Sequence, residues 1–283
     1  MLRLTFFLLF FSTILVAQDN PAYQLYNQKG RSVKFGKMMR ELRDADVILF
    51  GEYHDNPIAH WMELEILDHL DRYTLGMEMF ETDEQEALDA FQANEVTVGE
   101  LDSLTGGVWP NFHTDYLPIL QAARADSAKV IATNTPRRFA RMVFQRGFVV
   151  LRSLPAEDQA LLPPLAPVPY DPELPGYKAM LVEGHGSPHG GENFPKAQAI
   201  KDATMAWYIA KNATEGVPFV HLNGSYHSDN FEGISWYLRQ YKPQLKVVTI
   251  TTLQQPDIDE LQPASEGVAN YTLLVPANMI STY

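Results

Sequence analysis

Two Gly-x-x-His turns carry the residues best suited to chemistry in this chain. One is Gly51-Glu52-Tyr53-His54, running on into Asp55-Asn56-Pro57. The other is Gly224-Ser225-Tyr226-His227, running on into Ser228-Asp229-Asn230. Each follows an apolar run suited to a buried strand, Val47-Ile48-Leu49-Phe50 and Pro218-Phe219-Val220-His221-Leu222, and each precedes a segment of helical periodicity. In an open α/β sheet such strand-to-helix turns share one edge, the edge where ligands bind. Two distant stretches of chain are therefore expected to bring an imidazole each to one composite site.

Other strands add to that edge. Glu78 stands in the otherwise apolar Gly76-Met77-Glu78-Met79-Phe80, where an ionised carboxylate needs a metal, an arginine or a protonated histidine as partner. His54 and His227 with Glu52 and Glu78 would offer a divalent metal the nitrogen and oxygen ligands it takes. Water on that metal could act as a nucleophile, with a remaining carboxylate as base. Glu81 is the substitute if the register is shifted. A further strand ends at Asn134, followed by Thr135, Pro136, Arg137 and Arg138. Arginines at a helix start oppose the helix dipole, so Arg137 and Arg138, with Asn134 and Tyr226, are read as a substrate- or anion-binding set.

Plainer readings compete with each assignment. His54 could be a cap or a surface group, and Glu78 could form a structural ion pair with Arg137 or Arg138. His60 and His69 follow the first turn on a helix and read as packing or surface residues, and His221 as a core or sheet-face residue. Tyr170, Tyr177, His185 and His189 fall in a Pro- and Gly-rich stretch. Tyrosine and histidine can each ligate haem iron axially, but histidines among glycines are commonly just solvated.

The elements that must position these residues alternate between strand and helix. Strands are predicted at 46–50, 74–80, 129–133, 219–222, 246–251 and 271–275, with helices between them and a hairpin at 23–35 around Gln28-Lys29-Gly30. Asn56 caps a helix that Pro57 opens. The repetition predicts an α/β fold with a three-layer core and a mainly parallel sheet. After Pro136 the pattern breaks. Six prolines crowd residues 163–175, and Gly184-His185-Gly186-Ser187-Pro188-His189-Gly190-Gly191 follows, which predicts a smaller helical and irregular insertion over about 137–212.

Composition bounds the classes of function. Arg3 and the apolar run from Leu4 to Val16 read as a signal peptide over residues 1–17, leaving one α/β domain over 18–283. No later stretch is apolar enough to span a membrane. The chain has no cysteine, so disulfides, thiolate ligands and a lipid-modified cysteine are excluded. Without Arg3 it carries 21 Lys and Arg against 35 Asp and Glu, a net charge of −14, which argues against nucleic acid or an anionic membrane face as partner.

The chain resembles the ChaN-like haem-binding uptake proteins of the superfamily that includes the Tiki metalloproteases, TraB-like proteins and erythromycin esterases. The resemblance rests on residues 49–57, on 76–80, on Ala132-Thr133-Asn134-Thr135-Pro136-Arg137, on the run from Ala197 to Ala206, and on 223–229 with Gly233-Ile234, all in the family's order. It implies a three-layer α/β core, an exported bacterial protein and haem held by a tyrosine at a dimer interface. Tyr170 and Tyr177 are the tyrosines considered, although no motif places the ligand. The Tiki branch implies instead a metal-dependent peptide or ester hydrolase using His54, His227, Glu52 and Glu78. Unlike the lipoproteins of the family, this chain has no lipobox cysteine, so a periplasmic or extracellular protein without a lipid anchor is expected.

Overall fold

The computed structural model describes residues 21–165, 168–184 and 191–283. The expected signal peptide, His185 and His189 lie outside the described residues. The order is β1 (Gln24–Asn27), α1 (Phe35–Arg43), β2 (Val47–Glu52), α2 (Pro57–Asp68), β3 (Thr74–Glu81), α3 (Gln85–Gln92), α4 (Val98–Leu104), α5 (Leu117–Ala125), β4 (Lys129–Asn134), α6 (Arg137–Arg146), α7 (Ala156–Gln159), α8 (Pro175–Gly184), α9 (Phe194–Asn212), β5 (Phe219–Gly224), α10 (Gly233–Tyr241), β6 (Val247–Gln255) and β7 (Tyr271–Pro276). The seven strands form one sheet ordered β1-β7-β6-β2-β5-β3-β4, parallel throughout except for β1 against β7. This is the three-layer α/β core that the strand–helix alternation predicts.

Alternation along the strands sorts side chains between the two helical layers. Ile48 and Phe50 of β2 pack with Met38, Met39 and Leu42 of α1 and with Met62, Ile66 and Leu67 of α2. Val47 and Leu49 point the other way, toward Ala203, Ala206 and Ile209 of α9 and Ile234 and Tyr237 of α10. Each fully buried side chain of this kind contributes about 1.5–3 kcal/mol. The segment from α6 to Leu162 carries its own apolar cluster, with Phe139, Val143, Leu151 and Leu162 closing on Ile200 of α9. α9 is thus shared, covering the main sheet with one face and the irregular segment with another.

Two local expectations change. The hairpin at the start reduces to a single bridge, Tyr26 to Ser32, and β1 pairs instead with β7. Gly30 turns the chain at φ +64°, and Phe35 already begins α1, which leaves too few residues for a second strand. The helix expected from Tyr116 is preceded by one wide turn, Phe112–Tyr116, which brings Asp115 and Tyr116 inward. Among the described residues no helix is long and apolar enough to cross a membrane.

Candidate functional site

β5 lies between β2 and β3, and its register with β2 pairs Gly51 with Asn223 and Glu52 with Gly224. The two Gly-x-x-His turns are therefore side by side at the carboxyl ends of adjacent parallel strands. An open cleft of about 530 Å³ lies over them, lined by residues that include Glu52, Tyr53, His54, Tyr226, His227 and Tyr283.

His54 is the imidazole that faces this cleft, with its side chain 36% exposed. Its Nδ1 meets Glu52 Oε1 at 2.7 Å, and its ring packs edge-on against Trp109. Nε2 is left directed toward Gly224, where absence of a side chain makes room for the ring. Burial opposes charge on His54, but the Glu52 bond and the Glu78 charge raise its pKa above the ordinary histidine value.

His227 is buried and held at both nitrogens. Nδ1 meets Asp202 Oδ1 at 2.5 Å, and Nε2 meets Glu78 Oε1 at 3.1 Å. Gln198 adds a contact to the ring, and Tyr177 donates to the other Asp202 oxygen at 2.6 Å. Burial disfavours the imidazolium, yet Glu78 and Asp202 outweigh it and lift the pKa to about 10. Glu78 also accepts from the Gly224 backbone N–H at 2.7 Å. Burial would raise its pKa, but the His227 charge and hydrogen bond hold it well below the usual carboxylate range.

Glu52 belongs to a second buried group. Strand alternation puts Glu52 on the side of Ile48 and Phe50, facing α2, while Glu78 sits opposite Met77 and faces α9. The four residues expected to form one metal set point to opposite faces at the strand ends, with His54 between Glu52 and Gly224, and their donor atoms do not gather into one close group. Among the described residues, the His and acidic donor atoms gathered within 4.8 Å of one another are those of Glu52, His60 and Glu63. Tyr116 donates to Glu52 Oε1 at 2.5 Å, and Asn111 donates to the His54 carbonyl at 2.6 Å. Burial and the Glu52 charge push Glu63 well above the carboxylate range. Burial is offset at Glu52 by the His54 hydrogen bond and the His60 charge, which keep it low.

The remaining sequence candidates fall elsewhere. Arg137 is bound to Glu81 at 3.0 Å, and Arg138 to Asp83 and Asp158, so neither meets Glu78. These are ion pairs at the start of α6. Asn134 is close by, donating to the Glu78 carbonyl at 2.9 Å, and so braces β3 rather than facing the cleft. Tyr226 is half exposed on the cleft rim, 3.3 Å from the Gly176 carbonyl. Tyr170 stacks on Tyr177, and Tyr177 is buried with its hydroxyl committed to Asp202. His221 is buried, bonded to Asn223 and Thr133, and lowered by burial to about 4, which keeps it neutral. His69 is exposed, whereas His60 is an interior polar residue, not a packing or surface one.

Sequence reasoning passed over Asp202, Glu63, Asp115 and Tyr116. Two of them leave a signal: Glu63 lies three residues after His60 on one helical face, and Asp202 falls at helical spacing among Ala199, Ala206 and Ile209 of α9.

The family of haem-binding uptake proteins described as Tiki superfamily, ChaN, matches residues 38–238. The chain belongs to the ChaN family. Among solved structures it is similar to one described as cofacial heme binding to ChaN of Campylobacter jejuni, at 20% identity and a TM-score of 0.69, covering 91% of this chain and 98% of that one. At that identity the likeness shows a shared ChaN fold. A structure of the type III effector HopBA1 is more distant, with 11% identity, a TM-score of 0.48 and coverage of 85% and 92%. No curated protein matches the chain.

Proposed function

We propose that this ChaN-family chain is an exported haem-binding protein of an iron-uptake system, taking haem at the cleft over the two Gly-x-x-His turns. The observation that carries the reading is His54. Its Nδ1 is fixed by Glu52, and its partly exposed ring lines the wall of an open cleft with Nε2 beside Gly224. Histidine and tyrosine are, with methionine, the common haem-iron ligands open to a chain without cysteine, and the same cleft is lined by Tyr53, Tyr226 and Tyr283. The donor set therefore fits the group. When bound, haem supplies the redox-active iron; the chain supplies the ligand, its orientation through Glu52, and the Trp109 ring against the imidazole. His227, locked between Glu78 and Asp202, acts as a buttress that fixes the second turn.

A homodimer and an extracytoplasmic location belong to the same reading. A metal-dependent hydrolase is less well supported, because the donor atoms of His54, His227, Glu52 and Glu78 do not gather into one close group.

The reading is tested by titrating the haem-free protein with hemin and following the Soret band. We expect saturable binding in the wild type, at least tenfold weaker in His54→Ala. Tyr226→Phe and Tyr170→Phe identify any phenolate ligand by a shifted band. An unsaturable titration, with absorbance equal to hemin in buffer, overturns the proposal.

A further inference from the structure

The geometry points to a second ligand site: a buried transition-metal dication, of the zinc or manganese kind, held by Glu52, His60 and Glu63 beneath the His54 turn. This site lies on the α2 face of the sheet, beneath the cleft, and shares Glu52 with it: Oε1 holds His54 and Oε2 faces His60.

Three observations carry it. The first is convergence on one nitrogen. His60 Nδ1 lies 3.1 Å from Glu63 Oε2 and 3.3 Å from Glu52 Oε2. One N–H shared between two oxygens makes only a weak three-centre bond. Two donors bound to one cation at about 2.1 Å, at angles near 90–110°, stand roughly 3.0–3.4 Å apart. Both distances fall in that interval, and both exceed the roughly 2.7–2.9 Å of a charge-assisted hydrogen bond.

The second is the tautomer. His60 Nε2 is 3.1 Å from the backbone carbonyl of His54 and 3.5 Å from Asp115 Oδ2. Nε2–H donates to that carbonyl, which leaves Nδ1 as the nitrogen that faces the carboxylates and would bind the metal in place of its proton. An outer acceptor on one ring nitrogen and a ligand position at the other is the usual setting of a metal-bound histidine. Asn111 and Thr282 both donate to the same Asp115 oxygen, which fixes this outer partner in turn.

The third is a pair of buried oxygens without partners. Glu52, His60 and Glu63 are 2%, 4% and 1% exposed, and Glu52 Oε2 and Glu63 Oε1 have no hydrogen-bond partner among the described residues. A buried carboxyl oxygen left without a partner carries a desolvation cost. A dication supplies the missing partner for each oxygen. Two carboxylate oxygens and one imidazole suit zinc or manganese better than magnesium or calcium, which favour oxygen alone.

The test uses the full chain, haem-free, unfolded with chelator and refolded with Co²⁺, then measured by elemental analysis and visible absorption. We expect one tightly held cobalt per chain. Its absorption bands should be lost in His60→Asn and Glu63→Gln but kept in His227→Asn, whose side chain meets Glu78 and Asp202 and none of the three ligands. Zinc should also raise the denaturation midpoint of the wild type. Cobalt well below one per chain, or bands that survive Glu63→Gln or vanish in His227→Asn, overturns the proposal. If the glutamate variant does not refold, the wild-type zinc shift decides, and an unchanged midpoint overturns it.

Discussion

The His54 imidazole rests on Gly224: a Cβ built at position 224 would stand 2.9 Å from Nε2 and 3.0 Å from Cε1. The backbone there, at φ −56° and ψ 140°, is one that any residue adopts. Glycine is needed for space, not for conformation. Gly224→Ala should therefore displace the imidazole while costing only about 1 kcal/mol of stability, at the low end of overpacking. Hemin affinity is expected to fall at least tenfold, with the unfolding midpoint nearly unchanged. Wild-type affinity in this variant would remove His54 from the binding site.

The pair of His227 and Glu78 should set a pH window for stability. His227 is raised to about 10, so its contribution is full below the unfolded histidine value of about 6.5 and is lost as pH rises toward 10. Glu78 is lowered, so its contribution is full above the unfolded carboxylate value near 4.5 and is lost as pH falls below it. Denaturant unfolding of haem-free wild type and of His227→Gln should differ most between about pH 4.5 and 6.5. A difference that is flat from pH 4 to 10 contradicts the pairing.

Asp202 is the residue on which His227 depends most. It is 1% exposed and is bonded to both His227 and Tyr177. Asp202→Ala leaves a buried imidazolium with half its compensation and should cost about 3–5 kcal/mol. Tyr177→Phe removes one hydrogen bond to a charged group and should cost roughly 1.5–3 kcal/mol. The double variant should fall short of the sum, because the groups share one network. Urea unfolding of the four proteins measures all three quantities.

Arg137 should matter little to either property. Its side chain is 70% exposed and its ion pair with Glu81 faces water. Arg137→Ala should change stability by less than about 1 kcal/mol and leave the hemin titration unchanged. A large loss of affinity would place an anionic group of the ligand at the start of α6.

Much of this arrangement was legible in the residues. Alternation of strand and helix gave the parallel sheet, and the spelling of the two turns placed His54 and His227 on one edge. The sheet order was not legible, because nothing local states that β5 enters between β2 and β3 and pairs Glu52 with Gly224. Strand parity, by contrast, was readable and went unused. Counting from Ile48 and Phe50 assigns Glu52 to the α2 layer, and counting from Met77 assigns Glu78 to the opposite one. The choice of partner for Arg137 and Arg138 needed three dimensions, since Glu81, Asp83 and Glu78 lie on the same short stretch.

The position of β5 also governs the order in which this protein can assemble. β2 and β3 are separated by one helix in the chain, yet neither touches the other in the sheet. Their facing edges stay open until residues 219–224 arrive from more than 130 residues downstream. Pairings across such a distance carry a large loop-closure cost and form slowly. Refolding should consequently pass through a state with helices formed and two exposed strand edges, prone to self-association. Neither the cleft nor the alignment of its two turns exists until that strand is in place.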